Sequence, residues 1–141
     1  MQTEMSGGRY IAIENLTRGG FVGTNIEVAD TFSTRLVGLL GRRELPPGGG
    51  LLIRPSSGVH TFAMRFPIDV VTLDRRQRII SLHPHLRPWR ISGVSLRIRS
   101  VLELPPGTIE QAGLRVGDQL CTTFAAGLSR PQGLAGFRSC S

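Results

Sequence analysis

The residues best suited to chemistry lie between Val59 and Asp74, in the run V-H-T-F-A-M-R-F-P-I-D-V-V-T-L-D. His60, Arg65, Asp69 and Asp74 stand there among residues that otherwise belong in a buried strand. An ionisable group among apolar neighbours must find a partner or give up its charge. In an extended backbone His60, Phe62 and Met64 share one face, and Thr61, Ala63 and Arg65 share the other. Phe62 and Met64 can therefore floor a small pocket with His60 at its rim, or join the core with His60 as a hydrogen-bonded strand end. Asp69 follows Pro67 inside an apolar strand. Its carboxylate must pair with an arginine, accept from backbone N–H groups, or hold a proton for acid–base work. Structural pairing is preferred, with Arg42 or Arg90 first as partner. Asp74 opens a turn and is expected to cap it.

These groups define an expected site. Arg42, His60, Asp69, Trp89, Arg90 and Glu103 supply the polar rim of a pocket beside the His60–Met64 strand. Arg42 or Arg90 would hold an anionic group by its guanidinium fork, Trp89 would cover it, and Asp69 would orient the arginine. The preferred function is a small soluble binding or accessory domain for an anionic or hydrogen-bonding small ligand. The rival is a hydrolase or lyase with His60 as general base oriented by Asp69. No G-x-S-x-G and no paired base marks a nucleophile, so binding is preferred to catalysis. A metal site from His60, His83, His85 and an aspartate is rejected. Pro84 imposes a polyproline-like path on which His83 and His85 do not share a face. No metal and no cofactor is expected. Gly48-Gly49-Gly50 is followed by no G-K-[ST] and no helix, and reads as a flexible loop over a sheet edge.

Charge and length set the outer limits. The chain has 141 residues, one domain's length, and a formal net charge of +7 carried entirely by arginine, with no lysine. Arginine suits phosphate, which makes nucleic-acid association a second alternative. The arginines are scattered along the sequence and aromatic residues are few, so a stacking platform for nucleic acid is disfavoured. No apolar run approaches the roughly 18 residues of a membrane span, and no membrane partner is expected. The polar start, Met1 to Gly8, lacks a signal-peptide pattern, which gives a cytoplasmic expectation. Cys121 in a strand and Cys140 in a polar tail read as one buried and one exposed thiol, without a disulfide. A monomer or weak homodimer is expected.

The elements that must position the site follow from periodicity. Tyr10–Leu16 and Phe21–Val28 alternate as strands, with Val22, Ile26 and Val28 on one face. Asp30 or Thr31 caps a helix over Thr31–Leu40, in which Phe32, Leu36 and Leu39/Leu40 recur, and Gly41 ends it. Arg42–Gly50 is a loop. Leu51–Ile53 and Ile68–Asp74 are buried strands, and Arg75–Gln77 turns the chain into Arg78–Leu82. His83–Arg90 reads as a proline-pinned loop. Ser95–Leu104 reads as one strand with Leu96, Ile98, Leu102 and Leu104 inward, and Arg97, Arg99 and Glu103 outward. Thr108–Ala112 is one helical turn ended by Gly113, and Gln119–Phe124 is the last strand. Together these predict an α+β domain, β-rich, with a mostly antiparallel curled sheet or small barrel and one or two short helices. The domain spans 9–126, between disordered tails at 1–8 and 127–141.

Several of these pieces recur in fixed order: G-L-L-G-R at Gly38–Arg42, G-L-L-I at Gly50–Ile53, H-T-F-A-M at His60–Met64 and F-P-I-D at Phe66–Asp69. V-L-E-L-P-P-G at Val101–Gly107 and G-L-R-V-G-D at Gly113–Asp118 complete the set. From about Ile26 to Leu120 the chain resembles the uncharacterised bacterial and archaeal family called domain of unknown function 192. Ile53 and Thr72 stand where that family often carries an aromatic residue. The resemblance implies a small β-rich domain and no established activity, and it carries over no catalytic residue.

Overall fold

The computed structural model describes residues 9–29, 45–55, 59–60, 66–87, 91–92 and 95–124. The helix expected over Thr31–Leu40 and both expected tails lie outside them.

Alternating β-branched residues start the fold. Ile11 and Ile13 in β1 (Arg9–Asn15) meet Val22, Ile26 and Val28 of β2 (Phe21–Ala29) in one buried cluster. The two strands pair antiparallel across a turn at Leu16–Gly20. β3 (Gly49–Ile53) then runs parallel to β2, the single parallel pairing of the main sheet. β5 (Ile68–Leu73), β6 (Ile79–Leu86), β8 (Ser100–Leu104) and β9 (Leu120–Phe124) join antiparallel, giving the order β6-β5-β8-β3-β2-β1-β9. β4 (Val59–His60) and β7 (Ile91–Ser92) form a separate two-stranded pair. Among the described residues one short helix, α1 (Thr108–Gln111), follows Gly107 in a left-handed conformation. The fold is α+β, β-rich, with a curled and mostly antiparallel sheet, as the periodicity predicts.

Curling brings the two sheet edges together. Arg78, just before β6, bridges Gln119, just before β9. The seam is reinforced by Ile79 N–H to Asp118 O (3.0 Å) and Leu120 N–H to Gln77 O (3.0 Å). Asp118 is buried there and accepts from Asn15 Nδ2 (2.9 Å), Arg18 Nε (2.9 Å) and the Arg115 N–H (3.1 Å). Burial alone would raise its pKa. The Asn15, Arg115 and Arg18 hydrogen bonds and the Arg18 charge outweigh it and hold the carboxyl below its usual range.

Four local expectations are corrected. Ser95–Leu104 is not one strand. Ile98 N–H bonds Ser95 O in a turn that resets the alternation, leaving Leu96 94% exposed and Ile98 buried. Arg97 and Arg99 are exposed as expected, but Glu103 is buried, because β8 lies between β3 and β5 with both faces covered. His83–Leu86 is strand rather than loop, since β6 is an edge strand, where a proline without an N–H is tolerated. Gly49 and Gly50 begin the central strand rather than cross an edge. A Cβ on Gly50 would lie 2.6 Å from the Glu103 carbonyl oxygen, so only glycine allows the β3–β8 approach. Cys121, buried in β9, is disulfide-bonded rather than a free thiol. Cys140 lies outside the described residues.

Apolar clusters cover both sheet faces. Leu52, Val71, Leu102 and Leu104 pack inside the curl with Ile109 and Leu114. Leu51, Val70 and Val101 pack outside it with Leu45 and Ile98. Leu102→Ala should therefore cost about 2–5 kcal/mol by urea unfolding, and Leu96→Ala no more than about 0.5 kcal/mol. Asp118 titrates lower in the folded than in the unfolded chain. Its stabilisation should be complete above the unfolded value, near about pH 4, and fade as pH falls through the folded value. A melting-temperature profile of Asp118→Asn should lack that acid limb.

Candidate functional site on the outer sheet face

Register decides which polar groups can meet. Asp69 stands opposite Leu104, and Val70 stands opposite Glu103. Successive strand residues point to opposite faces, so Asp69 lies inside the curl and Glu103 outside it. Two of the six residues expected on one rim are thus separated by the sheet itself. His60 is in β4, its backbone paired with Ile91. Arg42, Trp89 and Arg90 lie outside the described residues.

Asp69 is fully buried and hydrogen-bonded to backbone. Its Oδ1 accepts the His85 N–H (2.9 Å) and its Oδ2 the Ile109 N–H (2.8 Å). The geometry follows from a bulge in β6, where Pro84 and His85 together oppose Asp69 and His85 takes φ 51°. The carboxylate ties that bulge to the first turn of α1. Asp74 behaves as expected, its Oδ1 accepting the Arg76 (2.7 Å) and Arg78 (3.0 Å) N–H groups of the β5–β6 turn.

The outer face carries a polar chain that motif reading missed. Thr72 and Ser81 are cross-strand partners with hydrogen-bonded hydroxyls, and Ser81 Oγ is 3.1 Å from His83 Nε2. Val70 stands opposite both His83 and Glu103, so those two side chains flank it on one row, about 10 Å apart across two strand spacings. Thr72 and Glu103 are buried, whereas Ser81 and His83 are half-buried. Burial pushes the His83 pKa down, which favours a neutral imidazole able to exchange hydrogen bonds with the Ser81 hydroxyl. Glu103 is itself partnered. The sequence signal was the S-L-H triplet at Ser81–His83, whose period of two puts both polar groups on one strand face.

The arrangement is a hydrogen-bonding strip in an otherwise apolar sheet face. No group of three or more metal-ligating side chains occurs among the described residues, and no helix among them is long and apolar enough to cross a membrane.

A curled, mostly antiparallel sheet sealed at β6–β9 defines a class of small β-rich domain. The chain belongs to the domain of unknown function 192 family, described as an uncharacterized ACR, whose profile matches residues 14–122. A UPF0127 protein of Pyrococcus furiosus is 32% identical over 113 residues, covering 75% of this chain and 93% of the relative. A second, from Pyrococcus horikoshii, is 31% identical over 100 residues, covering 67% and 84%. Two crystal structures share the fold. One is a Sinorhizobium meliloti protein provisionally designated a transcription regulator, with a TM-score of 0.69, 23% identity, and 85% and 98% of the two chains covered. The other, of unknown function, is from Novosphingobium aromaticivorans, with a TM-score of 0.69, 18% identity, and 85% and 90% covered.

Asp69→Ala would leave the buried Ile109 N–H and the part-buried His85 N–H without their acceptor. It should lower stability by about 2–5 kcal/mol and speed hydrogen exchange at those two amides first. Asp69→Asn, which keeps one acceptor oxygen, should lose less.

Proposed function

We propose that this chain is a small binding domain whose ligand contact is the half-buried Ser81–His83 stretch of β6, at the edge of the sheet's outer face. The observation that carries the reading is the Thr72–Ser81–His83 hydrogen-bonded strip beside Glu103, set among apolar neighbours. Binding sites commonly combine an apolar lining with a few placed polar groups. Ser81 and His83, being half-buried, are the groups that exchange partners with a ligand. Thr72 fixes the Ser81 hydroxyl from below. The ligand is a small molecule with hydrogen-bonding groups. Arg42 and Arg90, with Trp89 and His60, are the residues expected to hold an anionic group beside the His60–Met64 strand, and their side chains lie outside those described. Asp69 is left out, because it serves the backbone on the other face.

A thermal-shift panel of inorganic phosphate, citrate, malonate and nucleoside monophosphates tests the reading. At least one compound should raise the melting temperature of the wild type, and the shift should vanish in Ser81→Ala and His83→Ala. For an anion the shift should grow as pH falls, since protonated His83 adds a positive charge. Equal shifts in wild type and both variants would show that Ser81 and His83 are structural only.

A further inference from the structure

The arginines that are scattered in the sequence are gathered by the fold. Four loops meet around the β6–β9 seam. The β1–β2 turn is tied there by Leu16 N–H to Gln119 O (2.8 Å) and Gln119 N–H to Thr17 Oγ1 (2.8 Å). Arg78 Nε and the Arg76 carbonyl tie the β5–β6 turn to the Gln119 side chain. The loop over Gly113–Asp118 leads directly into Gln119. Arg99 N–H bonds Leu73 O (2.9 Å), and Leu73 stands opposite both Ser100 and Ile79, which brings the Ser95–Arg99 loop to the same end.

Segments 16–20, 74–78, 95–99 and 113–118 hold seven arginines and two aspartates, a net +5 of the chain's +7. Both aspartates have structural duties: Asp118 is buried against Arg18, and Asp74 caps its turn. Arg75, Arg76, Arg97, Arg99 and Arg115 are exposed, and none of them pairs with a carboxylate among the described residues.

The same loops carry the exposed apolar side chains. Of the five large hydrophobic residues exposed among the described ones, Leu16 (50%), Leu96 (94%) and Val116 (63%) sit within them. Phe21 (57%), opposite Glu14, stands at the foot of β2 beside them. Each aliphatic tip has an arginine within two residues: Leu16 with Arg18, Leu96 with Arg97, Val116 with Arg115. A nucleic acid would use the arginines but has no use for three aliphatic tips, which cannot stack on bases. An anionic bilayer uses both, taking the apolar tips into the acyl boundary and the guanidinium groups at its headgroups.

We propose that the loop end around the β6–β9 seam docks on a bilayer surface rich in anionic lipid headgroups. Leu96 and Val116 insert, and Arg97, Arg99 and Arg115 bind lipid phosphates. The expectation of no membrane partner rests on the lack of an apolar run able to span one; an interfacial contact requires no such run.

Co-sedimentation with vesicles of phosphatidylcholine containing about one-third phosphatidylglycerol tests this directly. The wild type should pellet with them at low salt, stay free with pure phosphatidylcholine, and be released by about 0.5 M salt. Arg97→Glu/Arg99→Glu should lower the partition about 100-fold. Leu96→Asp/Val116→Asp should abolish it at unchanged melting temperature, since both side chains are already in solvent. Leu96→Trp should show a blue shift in emission on vesicle addition that the wild type lacks. The proposal is overturned if the wild type ignores anionic vesicles at low salt, whether it instead binds an oligonucleotide or self-associates. It is equally overturned if Leu96→Asp/Val116→Asp binds like the wild type, because the contact is then charge alone.

Discussion

β5 and β8 are covered on both faces, and that constraint governs everything polar placed in them. A strand with one wet face can send its polar residues to water. These two cannot, so each polar side chain must carry a partner with it or impose a large desolvation penalty. Asp69 meets the demand inside the curl with two backbone donors, one from the β6 bulge and one from α1. Thr72 meets it outside with the Ser81 hydroxyl. The bulge, the positive φ of His85 and the docking of α1 are therefore consequences of one carboxylate's need for donors. That same need commits Asp69 to architecture and leaves Ser81 and His83, at the edge strand, as the adaptable groups.

Closure of the sheet has a second consequence. A seven-stranded sheet that curls until its edges meet must join β6 and β9 where both begin, and the loops preceding them crowd together. The buried Asp118 neutralises one arginine in that crowd and binds Asn15 from a third strand. A dense local field of like charge destabilises a fold unless something offsets it. Here one ion pair and the backbone seam hold the loops in place while the remaining arginines face outward.

What the sequence disclosed and what it hid divide along physical lines. Period-two alternation reported β1 and β2 and a continuous apolar run reported β5, each within a residue or two, and Asp74 was recognisable as a turn cap because its partners lie two to four residues away. Asp69 was legible as a buried carboxylate, since an apolar strand allows few alternatives. Its donors were not, because Ile109 lies 40 residues off and becomes a neighbour only after β8 is inserted beside β5. Leu96 and Glu103 were misplaced for two reasons: a turn at Ser95–Ile98 restarted the alternation before Leu96 could face inward, and a strand covered on both faces no longer sorts residues such as Glu103 by polarity. The separation of Asp69 from Glu103 likewise depends on pairing register, which no single strand contains.

The contrast between the β6 edge and the seam end then becomes intelligible. At the β6 edge the polar groups are few, partnered and held by strand pairing, an arrangement suited to selecting one small molecule by hydrogen-bond geometry. At the seam end the charged groups are numerous, lie on loops and are interleaved with aliphatic tips, an arrangement suited to a broad and fluid target. Hydrogen-bond selection demands a rigid frame, because displacement of an ångström removes the advantage of a placed donor. Charge attraction tolerates loop motion, because it decays over several ångströms rather than one. The fold supplies the rigid frame where β6 is paired with β5 and the tolerant surface where the strands end.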